Sequence, residues 1–208
     1  MVKSPAANHQ TTTRYQPEDR MDLMPPTLPA ELAPILAVSP LGESPLAWIP
    51  AAAVPAPYQQ LLVHDHDMTS ELAAFHRDEI TLEVLHSRQS GDTYLREVVL
   101  HTASVGTPVE YGLIEIQLAA FPADLRPLIL AGQTPLGAIL NASGLAYRSE
   151  PQGFFTVPAK TLDRIFSPSP SGAVLFGRYN HLVCGESTCL ARILEILPAA
   201  KTSHPDHV

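Results

Sequence analysis

The sequence predicts an α+β fold in which a single antiparallel β-sheet carries helices on one face. Three segments of alternating apolar and polar residues follow one another at 80–86, 94–101 and 108–117, with short turns between them. Segments typical of helices come next, and two further strand-like segments close the chain. Helices grouped between two blocks of strands indicate one sheet with a helical layer, with a site in the gap between them.

Proline separates the first 55 residues from the rest of the chain. Its fixed φ and missing N–H exclude a long helix or a central strand there. We therefore expect a proline-rich, partly disordered segment over 1–55, mobile over 1–27 and wrapped irregularly on the domain over 28–55. The folded domain should then span 56–200, and residues 201–208 should form a flexible tail.

The domain elements can be justified in order along the chain. An apolar segment at 58–63 precedes a short helix from about Ser70 to His76, for which Thr69 or Ser70 would be the N-cap. Proline in a first turn favours a helix at 122–131, which follows the three alternating strands. The remaining predicted elements are a short helix ending near Asn141, a third helix at 158–166, and strands at 173–184 and 188–197.

Composition excludes several classes of partner. The chain has 208 residues and a formal net charge of −8, from 21 acidic and 13 basic side chains. No basic stripe could follow a phosphate backbone, so nucleic acid is not expected as a partner. No apolar run reaches the roughly 20 residues of a membrane span, and the N-terminus lacks a signal-peptide pattern. We expect a cytoplasmic protein without a membrane partner, present as a monomer or small homo-oligomer.

Arg96 is the first candidate site residue. The alternation of its strand places Arg96 on the same face as Tyr94, Val98 and Leu100. An unpaired guanidinium beneath an apolar sheet face would cost several kcal/mol. Either a carboxylate of the protein or an anion from solution is therefore expected to meet it.

Glu195 is the second candidate, in a closing strand that is apolar on both faces. Its carboxylate would either pair with a cation, such as Arg96 or Arg178, or have a raised pKa suited to proton transfer. The salt bridge deserves at least equal weight. Arg178 has two interpretations as well, a second ligand for an anion or a charge at a strand end.

The sequence predicts neither a metal site nor a cofactor. His64, Asp65, His66 and Asp67 are metal-ligand types, but adjacent ligands rarely converge on one ion without a third, distant ligand. A polar connection before a helix is the preferred interpretation. Nucleotide-binding glycine motifs and metalloprotease motifs are not found.

Four motifs occur in one order between about Leu61 and Ala200. They are Leu61-Leu62-Val63 leading to Asp67-Met68-Thr69, then Tyr94-Leu95-Arg96-Glu97-Val98-Val99-Leu100, then Gly132-Gln133-Thr134-Pro135-Leu136-Gly137, and Phe176-Gly177-Arg178 with the closing Leu197-Pro198. Together they resemble chorismate lyase, the cofactor-free enzyme that splits chorismate into 4-hydroxybenzoate and pyruvate. The resemblance implies a chorismate lyase-like fold.

The resemblance also implies roles for three residues. Arg96 would bind the ring carboxylate of the substrate, and the backbone N–H of Met68 would meet the same group. Leu136 would line the pocket.

Two positions depart from the family. Leu113 stands where the resemblance implies a second arginine. The acidic residue of the family falls at Leu194, so Glu195 would reach the pocket only through a bulge or register change. Arg178 or Glu115 would then mark a remodelled site.

Three functions are compatible with these observations. The first is a carbon–oxygen lyase acting on chorismate, with Arg96 orienting the carboxylate and Glu195 handling the proton. The second is a divergent lyase, dehydratase or cyclase of secondary metabolism, acting on a single-carboxylate or polyketide-like metabolite in an apolar pocket beside Leu113. The third is a non-catalytic binding module, since related folds serve as effector-sensing domains. It ranks last because the proline-rich N-terminus cannot supply a DNA-binding unit.

Overall fold

One antiparallel sheet organises the protein. The structure is a computed structural model that describes residues 33–37, 39–42 and 44–200, so the expectations for 1–27 and 201–208 lie outside the described residues. The strands are β1 (Ala47–Ile49), β2 (Ile80–Ser90), β3 (Thr93–Thr102), β4 (Pro108–Gln117), β5 (Tyr147–Pro158), β6 (Val174–Cys184) and β7 (Thr188–Ile196). Their order across the sheet is β1-β5-β6-β7-β4-β3-β2. The predicted α+β class with a single antiparallel sheet is confirmed.

Two blocks of strands meet at the centre of the sheet. Strands β2, β3 and β4 form the expected meander, and β6 and β7 form the closing hairpin. Strand β4 pairs with β7 from Tyr111 opposite Ile196 to Ile116 opposite Ala191. This pairing leaves only β4 between the strand that carries Arg96 and the strand that ends the domain.

Helices cover the sheet face that carries Arg96. The helices are α1 (Ala33–Leu36), α2 (Tyr58–Leu62), α3 (Met68–His76), α4 (Leu125–Ala131) and α5 (Leu136–Ser143). Residues of α2 and α3 pack with Leu100, and residues of α4 and α5 pack with Ile114. The opposite face is covered by Leu36 at the end of α1 and by a 3₁₀ turn at Ala159–Leu162. Among the helices of the described ranges, none is long and apolar enough to cross a membrane.

Helix α3 begins at Met68, earlier than the sequence indicates. Its N-cap is Asp67, whose Oδ1 accepts a hydrogen bond from the backbone N–H of Ser70 at 2.9 Å. The predicted caps, Thr69 and Ser70, lie inside the helix because an aspartate satisfies an unpaired N–H of the first turn equally well. Asp67, the last residue of the 64–67 run, is therefore the N-cap of α3.

Strand β5 is not predicted from the sequence. Pro151 and Gly153 interrupt its alternation, and Pro151 lacks the N–H that a ladder needs. The structure accommodates this break with a register shift between Pro151 and Gly153 in the pairing with β6. The third predicted helix, at 158–166, is wrong in its extent because only Ala159–Leu162 winds, as a 3₁₀ turn.

Candidate ligand-binding site

A pocket lies between the sheet and the N-terminal ends of α3 and α5. Its cavity volume is about 40 Å³, roughly the space of three water molecules or one carboxylate group. Four of the sequence-predicted residues line this pocket: Arg96, Glu195, Met68 and Leu136. The structure therefore brings together residues from strands β3 and β7 and from two helix ends.

Across the residues that the structure describes, the guanidinium of Arg96 has no hydrogen-bond partner. Arg96 is 2% exposed, and neither Nε, Nη1 nor Nη2 has a hydrogen-bond acceptor among the described residues. Burial lowers the pKa of Arg96 to about 10, so the side chain keeps its charge at neutral pH. A buried cation whose donors face a cavity is suited to an external anion, because a carboxylate matches the guanidinium fork.

Two helix N-termini face the same cavity. Helix α3 begins at Met68 and α5 at Leu136, and both residues line the pocket. The first N–H groups of a helix lack intrahelical partners and carry the positive end of the dipole. Gly137 permits the two helix ends to approach, because a Cβ there would lie 2.6 Å from Oδ1 of Asp67. Both ends add positive potential beside Arg96.

Glu195 is engaged in a buried ion pair. Its Oε2 accepts a hydrogen bond from Nε of Arg178, and the two side chains are 4% and 0% exposed. The Nη groups of Arg178 donate to the carbonyl oxygens of Leu62 at 3.3 Å, His64 at 3.2 Å and His66 at 3.4 Å. Of the alternatives open from the sequence, the structure shows the salt bridge. Arg178 thereby ties the connection between α2 and α3 to the sheet.

Glu110 is a pocket residue that sequence reasoning missed. It is 3% exposed, and its Oε2 has no partner within the described part of the chain. Burial and the neighbouring carboxylate of Glu195 raise the pKa of Glu110 well above its usual value, against the opposing effect of Arg178. The protonated acid is therefore favoured and can donate an O–H into the cavity. The available signal was strand pairing, since Leu100 on the Arg96 face lies opposite Glu110.

Replacing Glu110 with glutamine should remove a pH-dependent loss of stability. The folded-state pKa of Glu110 is raised, so this group contributes stability at low pH that is lost as the pH rises toward that pKa. The free energy of unfolding of the wild type should therefore fall, relative to Glu110→Gln, by up to about 1.4 kcal/mol for each pH unit in that window. Urea denaturation between about pH 5 and about pH 8 measures this difference.

The matched control is Glu79→Gln, which changes an exposed carboxylate. Its pH profile should follow that of the wild type. Parallel profiles for the wild type and Glu110→Gln would contradict the assignment of a protonated Glu110.

Three predicted residues do not line the pocket. Leu113 and Glu115 point to the opposite sheet face, because successive side chains alternate and their neighbour Ile114 faces the pocket. Leu113 is 1% exposed in the opposite core, and Glu115 pairs with Arg192. Arg178 does not line the pocket but pairs with Glu195, which does.

Comparisons with known proteins locate solved structures with weak similarity. No family model matches the chain, and no curated protein matches it. PhnF from Mycobacterium smegmatis is 13% identical with a TM-score of 0.48, over 64% of this chain and 64% of that one. The ligand-binding domain of a putative GntR-family transcriptional regulator from Bordetella bronchiseptica is 13% identical with a TM-score of 0.45, over 59% and 88%. The effector-binding domain of the trehalose repressor from B. subtilis is 11% identical with a TM-score of 0.38, over 62% and 96%.

The predicted lyase activity is wrong, and so are the alternative dehydratase and cyclase activities of secondary metabolism. The matching structures are described as ligand-binding or effector domains of transcriptional regulators, not as enzymes. The physical reason lies at Glu195, since its ion pair with Arg178 occupies the carboxylate that was expected to handle the proton. The expectation that nucleic acid is not a partner also lacks support from these matches.

Proposed function

We propose that this protein is a non-catalytic domain that binds a small molecule through one carboxylate, with Arg96 as the anion ligand. The observation that carries the proposal is the buried guanidinium of Arg96, with three donor nitrogens and no acceptor among the described residues. No hydrogen bond within the described part of the chain offsets the cost of burying that cation. An anionic ligand that enters the cavity would offset it and gain charge-assisted hydrogen bonds.

The charge balance of the pocket favours a single anionic group. Arg178 is neutralised by Glu195, and Glu110 favours its neutral form. The carboxylate of Asp67 is held by the backbone of Ser70 and by the amide of Asn141, which donates to it at 3.1 Å. Arg96 is left as the cation without a partner, so a dianion would bring a second charge that the described pocket does not match.

The remainder of the ligand should be apolar with few polar groups. Many of the side chains that line the pocket with Arg96 are apolar, among them Val98, Leu100, Ile114 and Leu182. Glu110 would donate to one neutral oxygen of the ligand. We propose a regulatory role for such binding, in a domain over 56–200 of a cytoplasmic protein.

The test compares acids with their own amides. Acetate, pyruvate and benzoate would each be titrated into the full chain by calorimetry, beside acetamide, pyruvamide and benzamide. At least one acid should bind with one-to-one stoichiometry and raise the melting temperature in proportion to its saturation. Its amide, which has the same shape and no charge, should bind roughly tenfold more weakly or worse.

The result that would contradict the proposal is equal behaviour of every acid and its amide. Chorismate serves as a separate arm with product analysis. Turnover of chorismate would also contradict a non-catalytic role.

A further inference from the structure

The connection between α2 and α3 brings two imidazoles and a carboxylate together. His64 and His66 lie in this connection, and Glu71 lies in the first turn of α3. One ligand atom of each of these three side chains lies within 4.8 Å of the other two. Glu71 supplies the third ligand that the 64–67 run lacked when considered as a sequence.

Nε2 of His64 has a hydrogen-bond acceptor, whereas Nε2 of His66 lies near a carboxylate at a distance longer than a hydrogen bond. Nε2 of His64 lies 2.7 Å from the carbonyl oxygen of Leu61, and Nε2 of His66 lies 3.6 Å from Oδ1 of Asp65. A histidine that donates one ring N–H to an oxygen presents the lone pair of its other nitrogen, as metal-binding histidines do. In His64 that lone pair is therefore on Nδ1, and Nδ1 of His66 lies beside the carboxylate of Glu71.

Glu71 lies against the second imidazole. Nδ1 of His66 lies 2.7 Å from Oε1 of Glu71, and a metal ion would replace the proton between them.

Two donors compete with a metal ion for Nδ1 of His64: the backbone N–H of His66, at 3.2 Å, and the guanidinium of Arg178. Nη1 of Arg178 lies 3.2 Å from Nδ1 of His64. The same nitrogen also donates to the carbonyl oxygens of Leu62 and His64, and the charge of Arg178 is balanced by Glu195. Nη1 can therefore lose its contact with the ring and keep other acceptors.

We propose that His64, His66 and Glu71 bind a single Zn²⁺ ion. Two imidazoles and one carboxylate with an open fourth position are a common ligand set for zinc. The side chain of His66 is 68% exposed, which gives the ion a path from solvent. Asp67 and Met68, which line the pocket, directly follow this connection. A bound ion would therefore restrict the motion of one side of the pocket. The inference does not depend on the ligand proposed for the pocket.

The experiment titrates Zn²⁺ into the full chain, free of any affinity tag, by calorimetry and by thermal unfolding. The variants are His66→Ala and Glu71→Gln, chosen because neither side chain lies in a hydrophobic core. The matched control is His86→Ala, which removes an exposed histidine that contacts one carboxylate, Glu97, at 2.8 Å and has no second imidazole. We expect one Zn²⁺ per chain and a raised melting temperature. Affinity should fall roughly tenfold or more in each variant and stay unchanged in the control.

Three results would overturn the inference. The first is no binding of Zn²⁺ by the wild type. The second is binding that persists unchanged in both His66→Ala and Glu71→Gln, which would assign the ion to other histidines or to the cysteines. The third is an equal loss of affinity in His86→Ala.

Discussion

Replacing Arg96 with methionine should stabilise the ligand-free protein and abolish its binding of carboxylates. Methionine has a similar length and no charge, so it can fill the space of Arg96 without a buried cation. Replacing a whole buried ion pair with apolar residues is often neutral or stabilises a protein by about 1 to 4 kcal/mol, and Arg96 has no hydrogen-bond partner among the described residues to offset its burial. A structural residue would give the opposite sign, which makes the direction of the change informative.

Urea denaturation of the wild type and Arg96→Met measures the change in the free energy of unfolding. The control is Arg88→Met, which removes an exposed arginine from β2 and should change stability by no more than about 0.5 kcal/mol. Calorimetry with the tightest-binding acid then tests the second half of the prediction. A large loss of stability in Arg96→Met would show that this cation has a protein partner after all.

Breaking the Arg178–Glu195 pair should destabilise the protein strongly. Both side chains are almost fully buried, and removal of one partner leaves an uncompensated buried charge that costs about 3 to 5 kcal/mol. Glu195→Gln and Arg178→Met should each show this loss by urea denaturation. Arg178→Met also leaves three carbonyl oxygens of the α2–α3 connection without their donor, so its loss should be the larger.

The double variant Arg178→Met/Glu195→Gln separates the ion pair from these carbonyl contacts. Its loss in the free energy of unfolding should be smaller than the sum of the losses in the two single variants, because the double variant contains no unpaired charge. Purely additive losses would mean that the two side chains do not interact as the structure shows. The same double variant should retain carboxylate binding if Arg96 alone holds the anion.

Regular alternation made part of the fold predictable. Strand β4 runs over Pro108–Gln117, the range that its pattern indicated, and its pairing with β7 has no register shift from Tyr111 to Ile116. Strand β5 escaped prediction because Pro151 and Gly153 lie at a register shift, where the pattern is lost. The start of α3 was placed too late because several adjacent residues are equally good N-caps.

The site was predictable only where a side chain carried the signal. Arg96 follows from alternation within one strand, whereas Met68 and Leu136 came from a resemblance, because helix ends contribute backbone groups that leave no side-chain pattern. The resemblance placed Leu113 beside the pocket, although Leu113 and its neighbour Ile114 point to opposite faces of the sheet. The pairing of Glu195 with Arg178 depends on the β6–β7 register, which shifts between Leu182 and Val183 and cannot be counted from the sequence.

The central claim is that Arg96 holds the carboxylate of a ligand. The most direct measurement is the Nε–H resonance of Arg96 in ¹⁵N-labelled protein, assigned by its loss in Arg96→Met. It would be followed by NMR while the tightest-binding acid, and then its amide, are added. We expect the resonance to move and saturate at one equivalent of acid and to stay in place with the amide. An Arg96 resonance that does not respond while the acid binds the protein would contradict the account.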